Sequence, residues 1–355
     1  DASYFEKKYG EYTGEMVVLE NNIAYSEPLD TDDEITLEVK DEYNTLYTML
    51  AELDLTDEDN WKLLNESIDV ENFLQYMALQ NYFGNADAMV NNFKAYRYYA
   101  NDGDYREGTV FDGRYRFLLF DMDQTLGFGA YDKPGSEPVI LDTANRVGYD
   151  IFYNSLFRNI VGTEAGRDTY VRYYLALINY YCEPGRAGAV LDEMDESRAA
   201  ELRRQYAETD FMVGNPETPK KIDYNHVIKS MNLIREFLKE RPRWALHDLE
   251  EAFGLNSRYT LSLQNPGEAY ITVDEASFSD TDFEGAYYSE IPVTLTAQPK
   301  CGDQFVYWLV DGVEYSEPVL LITEEMMQDE TVFVECVTKA DPDAGLMITV
   351  DDTEQ

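Results

Sequence analysis

The chain has 355 residues, 44% of them hydrophobic, enough to build two packed domains, and no run approaches the ~18–20 apolar residues that a membrane helix needs. Against 28 Lys and Arg stand 70 Asp and Glu, a net charge of −42, and such a surface repels nucleic acid and anionic membranes, whose binding relies on clustered basic side chains. Two His and three Cys leave no Cys/His zinc site of the usual spacing, and a Ser-His or Cys-His hydrolase would have to use His226 or His247, which read as surface residues of a helical stretch.

In chain order, Gly14 to Glu20 reads as one strand of a hairpin. The acidic run Glu27 to Glu34 lacks the Gly and the terminal Glu of an EF-hand loop and reads as solvated. Ile35 to Val39 looks like a strand, and Thr45 to Leu55 a helix with Leu46, Met49, Leu50 and Leu53 on one side. Val70 to Phe83 carries apolar residues at helical spacing, with Asp69 as N-cap and Gly84 as C-terminal stop. Phe93 to Tyr99 and Arg114 to Phe120 read as a strand pair around the polar stretches Asn101-Asp102-Gly103-Asp104 and Asp112-Gly113. Then come Asp121-Met122-Asp123 and Gly127-Phe128-Gly129-Ala130, whose glycines follow a strand instead of opening a helix and so say little about phosphate.

From Ile151 to Phe253 the pattern is helical (155–160, 167–181, 188–209 and 224–253), with Pro242 expected to break the last segment in two. The stripe Tyr170, Tyr173, Tyr174, Tyr180 and Tyr181 reads as core packing, and Cys182 as a buried apolar position. After Asn256 the pattern turns to strands over 259–263, 269–273, 293–297, 305–310 and 331–336, with turns at Asn265-Pro266-Gly267 and Asp311-Gly312. Cys301 and Cys336 both lie in this part, and an oxidising exterior would let them pair if their Cα atoms come within about 7 Å.

The chemistry is concentrated between Gly84 and Asp123. Phosphoryl transfer needs a carboxylate to orient the attacking hydroxyl and take its proton, and a carboxamide and a second carboxylate to hold the metal ions that neutralise the phosphates. Asp87 and Asn92 are five residues apart, as the base Asp and metal Asn of a kinase catalytic loop are, and Asp121 closes a strand, where the metal-binding Asp belongs. These three are expected to converge in one cleft and to bind magnesium or manganese weakly.

Several stretches resemble the CotH family, the spore-coat-protein-H-like atypical kinases. They are Val70-Glu71-Asn72-Phe73-Leu74, Gly84-Asn85-Ala86-Asp87, Asn92-Phe93-Lys94-Ala95-Tyr96-Arg97, Phe120-Asp121-Met122-Asp123, Phe128-Gly129, Leu233 to Phe237 with Arg241, and Ala252 to Leu255. The resemblance implies that Asp87 is the catalytic Asp, that Asn92 and Asp121 bind metal with Asp123 as a further ligand, and that the cofactors are ATP with Mg2+ or Mn2+. It also implies an extracellular or cell-surface place on a bacterium and a protein substrate, basic and Ser-rich to suit an acidic face, or else a cell-surface partner. Members begin with a nucleotide-binding lobe that carries the phosphate-contacting Lys. By that comparison this chain opens inside the last hairpin of the lobe and is expected to be a fragment, nearly inert by itself. Between Asp87 and Asn92 it carries Ala88, Met89, Val90 and Asn91, where kinases commonly put basic or polar residues.

The fold class expected is α+β: a mostly helical atypical-kinase C-terminal lobe with a β-hairpin metal site, plus a small all-β module. The divisions are 1–24 as the remnant hairpin, 25–255 as the kinase-like lobe, 259–339 as a module that resembles internalin-type B-repeats, and 340–355 as an acidic tail or linker. A rival reading is an inactive kinase-like binding or adhesion protein anchored or spaced by its β module. A third, a calcium-stabilised carbohydrate-binding protein, fits the acidic and aromatic content without a specific motif.

Overall fold

The computed structural model describes residues 2–20, 23–26, 34–85, 92–123, 125–126, 151–213, 217, 220–274, 276–278, 282–327 and 329–341. The acidic run before Glu34, Asp87, the glycines at 127 and 129, and the tail beyond Asp341 lie outside them. The architecture is α+β. The chain divides into two compact units, one made of Asp1–Tyr170 with Ala187–Asp248 and the other of Val171–Arg186 with Leu249–Gln355.

The first unit is built around a sheet of β1 (Glu15–Glu20), β2 (Ile23–Ser26), β3 (Lys94–Tyr99) and β4 (Arg116–Phe117), in the order β2-β1-β3-β4. The strands are antiparallel, with Val18 opposite Tyr96 and Ala95 opposite Phe117, so the opening hairpin and the strand pair around the candidate site form one sheet. Its helices are α1 (Ala2–Tyr9), α2 (Glu34–Glu52), α3 (Glu58–Ser67), α4 (Val70–Phe83) and α5 (Ile151–Val161), and α6 (Glu164–Ala176), α7 (Pro184–Glu208) and α8 (Tyr224–Phe253) each fall partly within it. Local chemistry sets the ends of α4. The Asp69 carboxylate accepts from the Asn72 N–H at 3.1 Å, and Gly84 turns left-handed at φ 62°, which costs a residue without Cβ nothing. Its inner face buries Phe73, Leu74, Met77 and Ala78, and the Phe73 ring packs 4.7 Å from that of Phe117.

Two expectations are corrected here. Ile35 to Val39 is the start of α2, not a strand: Val39, Tyr43, Tyr47 and Leu50 are buried at helical spacing, and that longer stripe outweighs a five-residue alternation. Pro242 does not divide α8, which runs unbroken through it. The lost backbone bond is outweighed because Phe237, Leu238 and Arg241 before the proline and Ala245 and Asp248 after it are all buried.

Between α7 and α8 in the chain, β5 (Phe211–Val213) and β6 (Lys220–Ile222) form an antiparallel pair. The second unit is built on two sheets. One has the order β10-β7-β15-β12-β13, from Phe283–Tyr288, Arg258–Gln264, Thr331–Ala340, Asp303–Val310 and Val313–Tyr315. The other has β14-β11-β8-β9, from Val319–Ile322, Val293–Pro299, Ala269–Val273 and Ala276–Phe278. Alternating burial runs along the strands, as in Val293, Leu295 and Ala297, and Trp308 is wholly enclosed. Asp311 and Gly312, at φ 46° and 84°, make the two-residue turn between β12 and β13.

Residues 171–186, expected within the kinase-like lobe, group with these sheets. They contain a π-helical turn, Leu177–Tyr181, that presents Asn179 to the edge strand β10. The Asn179 amide donates to the Ala286 carbonyl at 2.8 Å and its oxygen accepts the Ala286 N–H at 3.0 Å, so one side chain completes a strand edge. Cys301 and Cys336, whose pairing the sequence left open, are both free thiols, as is Cys182. Cys336 lies opposite Trp308, whereas Cys301 precedes Asp303, which lies opposite Ala340. The two are thus offset by about six residues, roughly 20 Å of strand.

Candidate active site

The site is assembled from the end of α4 and the chain on either side of the β3–β4 pair. Two features of α4 fix β4. The Asn72 side chain brackets Phe117, its oxygen accepting the Phe117 N–H at 2.6 Å and its nitrogen donating to the Phe117 carbonyl at 3.4 Å, so a side-chain amide takes the place of a neighbouring strand. Asp69, already the cap of α4, also lies 2.9 Å from Arg116 Nε, and Asp112 accepts from Arg116 at 2.7 Å and from Arg114 at 2.8 Å. Burial pushes the Asp112 carboxyl up, but the bonds from Arg116 and Arg114 outweigh it and hold the group below the usual carboxylate range. Four residues beyond Phe117 the chain reaches Asp121.

There the candidate residues meet. Asn92 is buried, and its side-chain nitrogen donates to the backbone carbonyl of Asp121 at 2.9 Å. A carbonyl can only accept, so this bond assigns the amide and leaves the Asn92 oxygen as the atom able to ligate a cation. Asp121 has φ 47°, a left-handed conformation that non-glycine residues seldom adopt, and it turns the chain sharply off the end of β4. The Asp121 and Asp123 side chains are exposed.

Met122, between them, is tied back to the segment before Asp87. Asn85, 1% exposed, donates from Nδ2 to Gln80 Oε1 at 2.8 Å and to the Met122 sulfur at 3.3 Å. Thr125 Oγ1 donates to the Met122 carbonyl at 2.6 Å, and the Leu126 N–H to the Phe83 carbonyl at 2.9 Å. Lys94, two residues after Asn92, sets its ammonium 3.9 Å over the ring of Phe120 and 2.8 Å from the Glu20 carboxylate.

Of the four residues expected here, the structure brings Asn92 and Asp121 together and sets Asp123 two residues on, while Asp87 lies outside the described residues. Among the described residues no group of three or more His, Cys, Asp or Glu stands close enough to hold a metal ion. The donors that Asn92, Asp121 and Asp123 carry are all oxygens, the type that a hard divalent cation such as magnesium or manganese takes. Asn72 and Asn85 carry the site's framework but received no role from the sequence. The signal for them was their place in the stretches Val70 to Leu74 and Gly84 to Asp87 that resemble the family, with Asn85 directly after the stop glycine.

A family model described as CotH kinase protein matches residues 6–245. The chain belongs to the CotH kinase protein family. The CotH match takes in every element that builds the site, from β1 through Arg241, and stops short of the strands that begin at Arg258. No curated protein sequence matches the chain. No helix among the described residues is long and apolar enough to cross a membrane.

Proposed function

We propose that the chain is an atypical protein kinase, outside the cell or on the surface of a bacterium, that transfers the γ-phosphoryl of ATP to a Ser or Thr hydroxyl of a protein. The observation that carries the reading is the Asn92–Asp121 bond, which joins the carboxamide just before β3 to the backbone of the acid four residues beyond β4, inside the stretch matched as CotH kinase. Asp87 orients the acceptor hydroxyl and takes its proton as the oxygen–phosphorus bond forms and the bond to the β-phosphate oxygen breaks, releasing ADP. Asn92, Asp121 and Asp123 hold magnesium or manganese. When bound, the cation neutralises phosphate charge. Because the transition state is loose, the protein's part is mostly positioning, and the buried bonds around Met122 and Phe117 supply rigidity for it.

The net charge of −42 favours encounter with a basic, Ser-rich acceptor. The spore-coat association of the family supports the location. The strands beyond Arg258 serve as a spacer or anchoring module. Radiolabel transfer from ATP with manganese or magnesium by the full-length protein, to itself and to a basic Ser-rich protein, tests the assignment. Transfer by the wild type that is lost in Asp121→Ala and slowed in Asp87→Ala is the expected result. No transfer under any of these conditions, or equal transfer by all three proteins, would leave the reading as an inactive binding module.

A further inference from the structure

The last four carbonyls of an α-helix have no partner inside it, and in α4 each finds a donor elsewhere. Gln80 O accepts the Asn85 N–H at 3.1 Å, and Asn81 O accepts the Gly84 N–H at 3.2 Å. Asn81 O also takes Arg241 Nη2 at 2.8 Å, and Tyr82 O takes Arg241 Nε at 2.7 Å. Phe83 O takes the Leu126 N–H at 2.9 Å. One guanidinium therefore serves two of the four, and it comes from α8, 159 residues along the chain from Tyr82.

Arg241 is 2% exposed, and its Nη1 lies 3.3 Å from Oδ2 of Asp248, which is 1% exposed. Removing such a pair from water is costly and is a weak source of stability in itself. What the pair secures is geometry. A cation at a helix C-terminus is favoured by the dipole, and the planar fork of a guanidinium fixes two carbonyl directions at once, which a lysine ammonium cannot do. The helix end so fixed carries Gly84 and Asn85, after which the chain enters the segment containing Asp87. The same row of carbonyls receives Leu126, from the turn that begins at Asp121.

We propose that Arg241 is a positioning residue of the phosphoryl-transfer site: by holding the Asn81 and Tyr82 carbonyls it fixes the end of α4, to which Met122 and Leu126, just beyond Asp121, are tied through Asn85 and Phe83. Its effect on metal binding rests on the functional reading above, while its effect on the helix end does not. Two measurements on Arg241→Lys separate these. In the folded variant, checked by far-UV circular dichroism, the amides of Asn85 and Leu126 should exchange with deuterium at least tenfold faster than in the wild type. Manganese affinity, followed by electron paramagnetic resonance, should fall about 10–100-fold, as it does when groups that orient metal ligands are lost. Asp248→Asn leaves the carbonyl bonds but removes the charge partner, and should show smaller losses in the same two quantities; it decides the matter if Arg241→Lys does not fold.

Wild-type protection at Asn85 and Leu126 in the folded variant would overturn the positioning role. So would wild-type manganese affinity alongside faster exchange. If the wild type binds no manganese, the functional reading is what fails, and the exchange rates alone then decide the role of Arg241.

Discussion

The Asn92 side chain and the Asp121 backbone meet at 2.9 Å, across the junction where the chain enters one strand and leaves the next. That bond dictates which atom of Asn92 faces outward, because the Asp121 carbonyl can only accept. A carboxamide in that orientation offers oxygen to a cation; a carboxylate in its place would turn an oxygen toward the carbonyl.

Asn92→Asp should therefore bind manganese more weakly than the wild type despite the added negative charge. Asn92→Ala should lose about 10–100-fold in affinity. Electron paramagnetic resonance titration of the three proteins checks the order; an Asn92→Asp variant that binds more tightly would contradict the orientation argued here.

Asn72→Ala should destabilise the first unit. It strands the N–H and C=O of Phe117, a residue 2% exposed, and the cost of an unsatisfied buried group is about 1–3 kcal/mol. Urea denaturation followed by circular dichroism measures it. Asn72→Gln, one methylene longer, should not rescue it, since the two bonds need the amide at a fixed reach from α4.

Asp112 makes stability depend on acid. Its carboxyl is depressed in the folded state, so the stabilisation it gives is fully present above the unfolded value of 3.8 and is lost as pH falls through the lower folded value. Asp112→Asn should cost stability at neutral pH, and the gap between variant and wild type should narrow steadily below about pH 4. Urea midpoints between pH 7 and pH 2 provide the test, and a gap independent of pH would assign the ion pair with Arg116 no role.

The three thiols should differ in reactivity. Burial pushes Cys182 up to about 11, and burial with the nearby Glu335 charge pushes Cys336 up to about 12, while Cys301 is exposed. Iodoacetamide at pH 8 should label Cys301 alone in the native protein and all three after unfolding, by mass spectrometry. Labelling of Cys336 in the native state would mean that β15 opens readily.

What the sequence made legible was local. The ends of α4 follow from Asp69 and Gly84, and the strands of the second unit from their alternation. The order Asp87, Asn92, strand, strand, Asp121 named a chemistry before any contact was known, and the structure joins Asn92 to Asp121. Longer-range relations left no mark. Ile35 to Val39 alternates like a strand, and only the burial of Tyr43, Tyr47 and Leu50 beyond it makes it a helix. Pro242 obeys no local rule because tertiary burial on both sides of it overrides the lost bond. Asn72 and Asn179 act by hydrogen-bonding distant backbone and Asn85 by hydrogen-bonding the Gln80 and Met122 side chains, and such a residue does not announce in the sequence which partner it will meet.

The bracket that Asn179 closes on Ala286 sets an order of events during synthesis. Residues 171–186 leave the ribosome about a hundred residues before β10 exists, so the amide must wait for its strand while α7 and α8 are still being made. The second unit is thus completed last and from both ends of a long insertion. A shortened chain beginning at Asn256 would display β10 as a bare edge, open to pairing with another copy of itself.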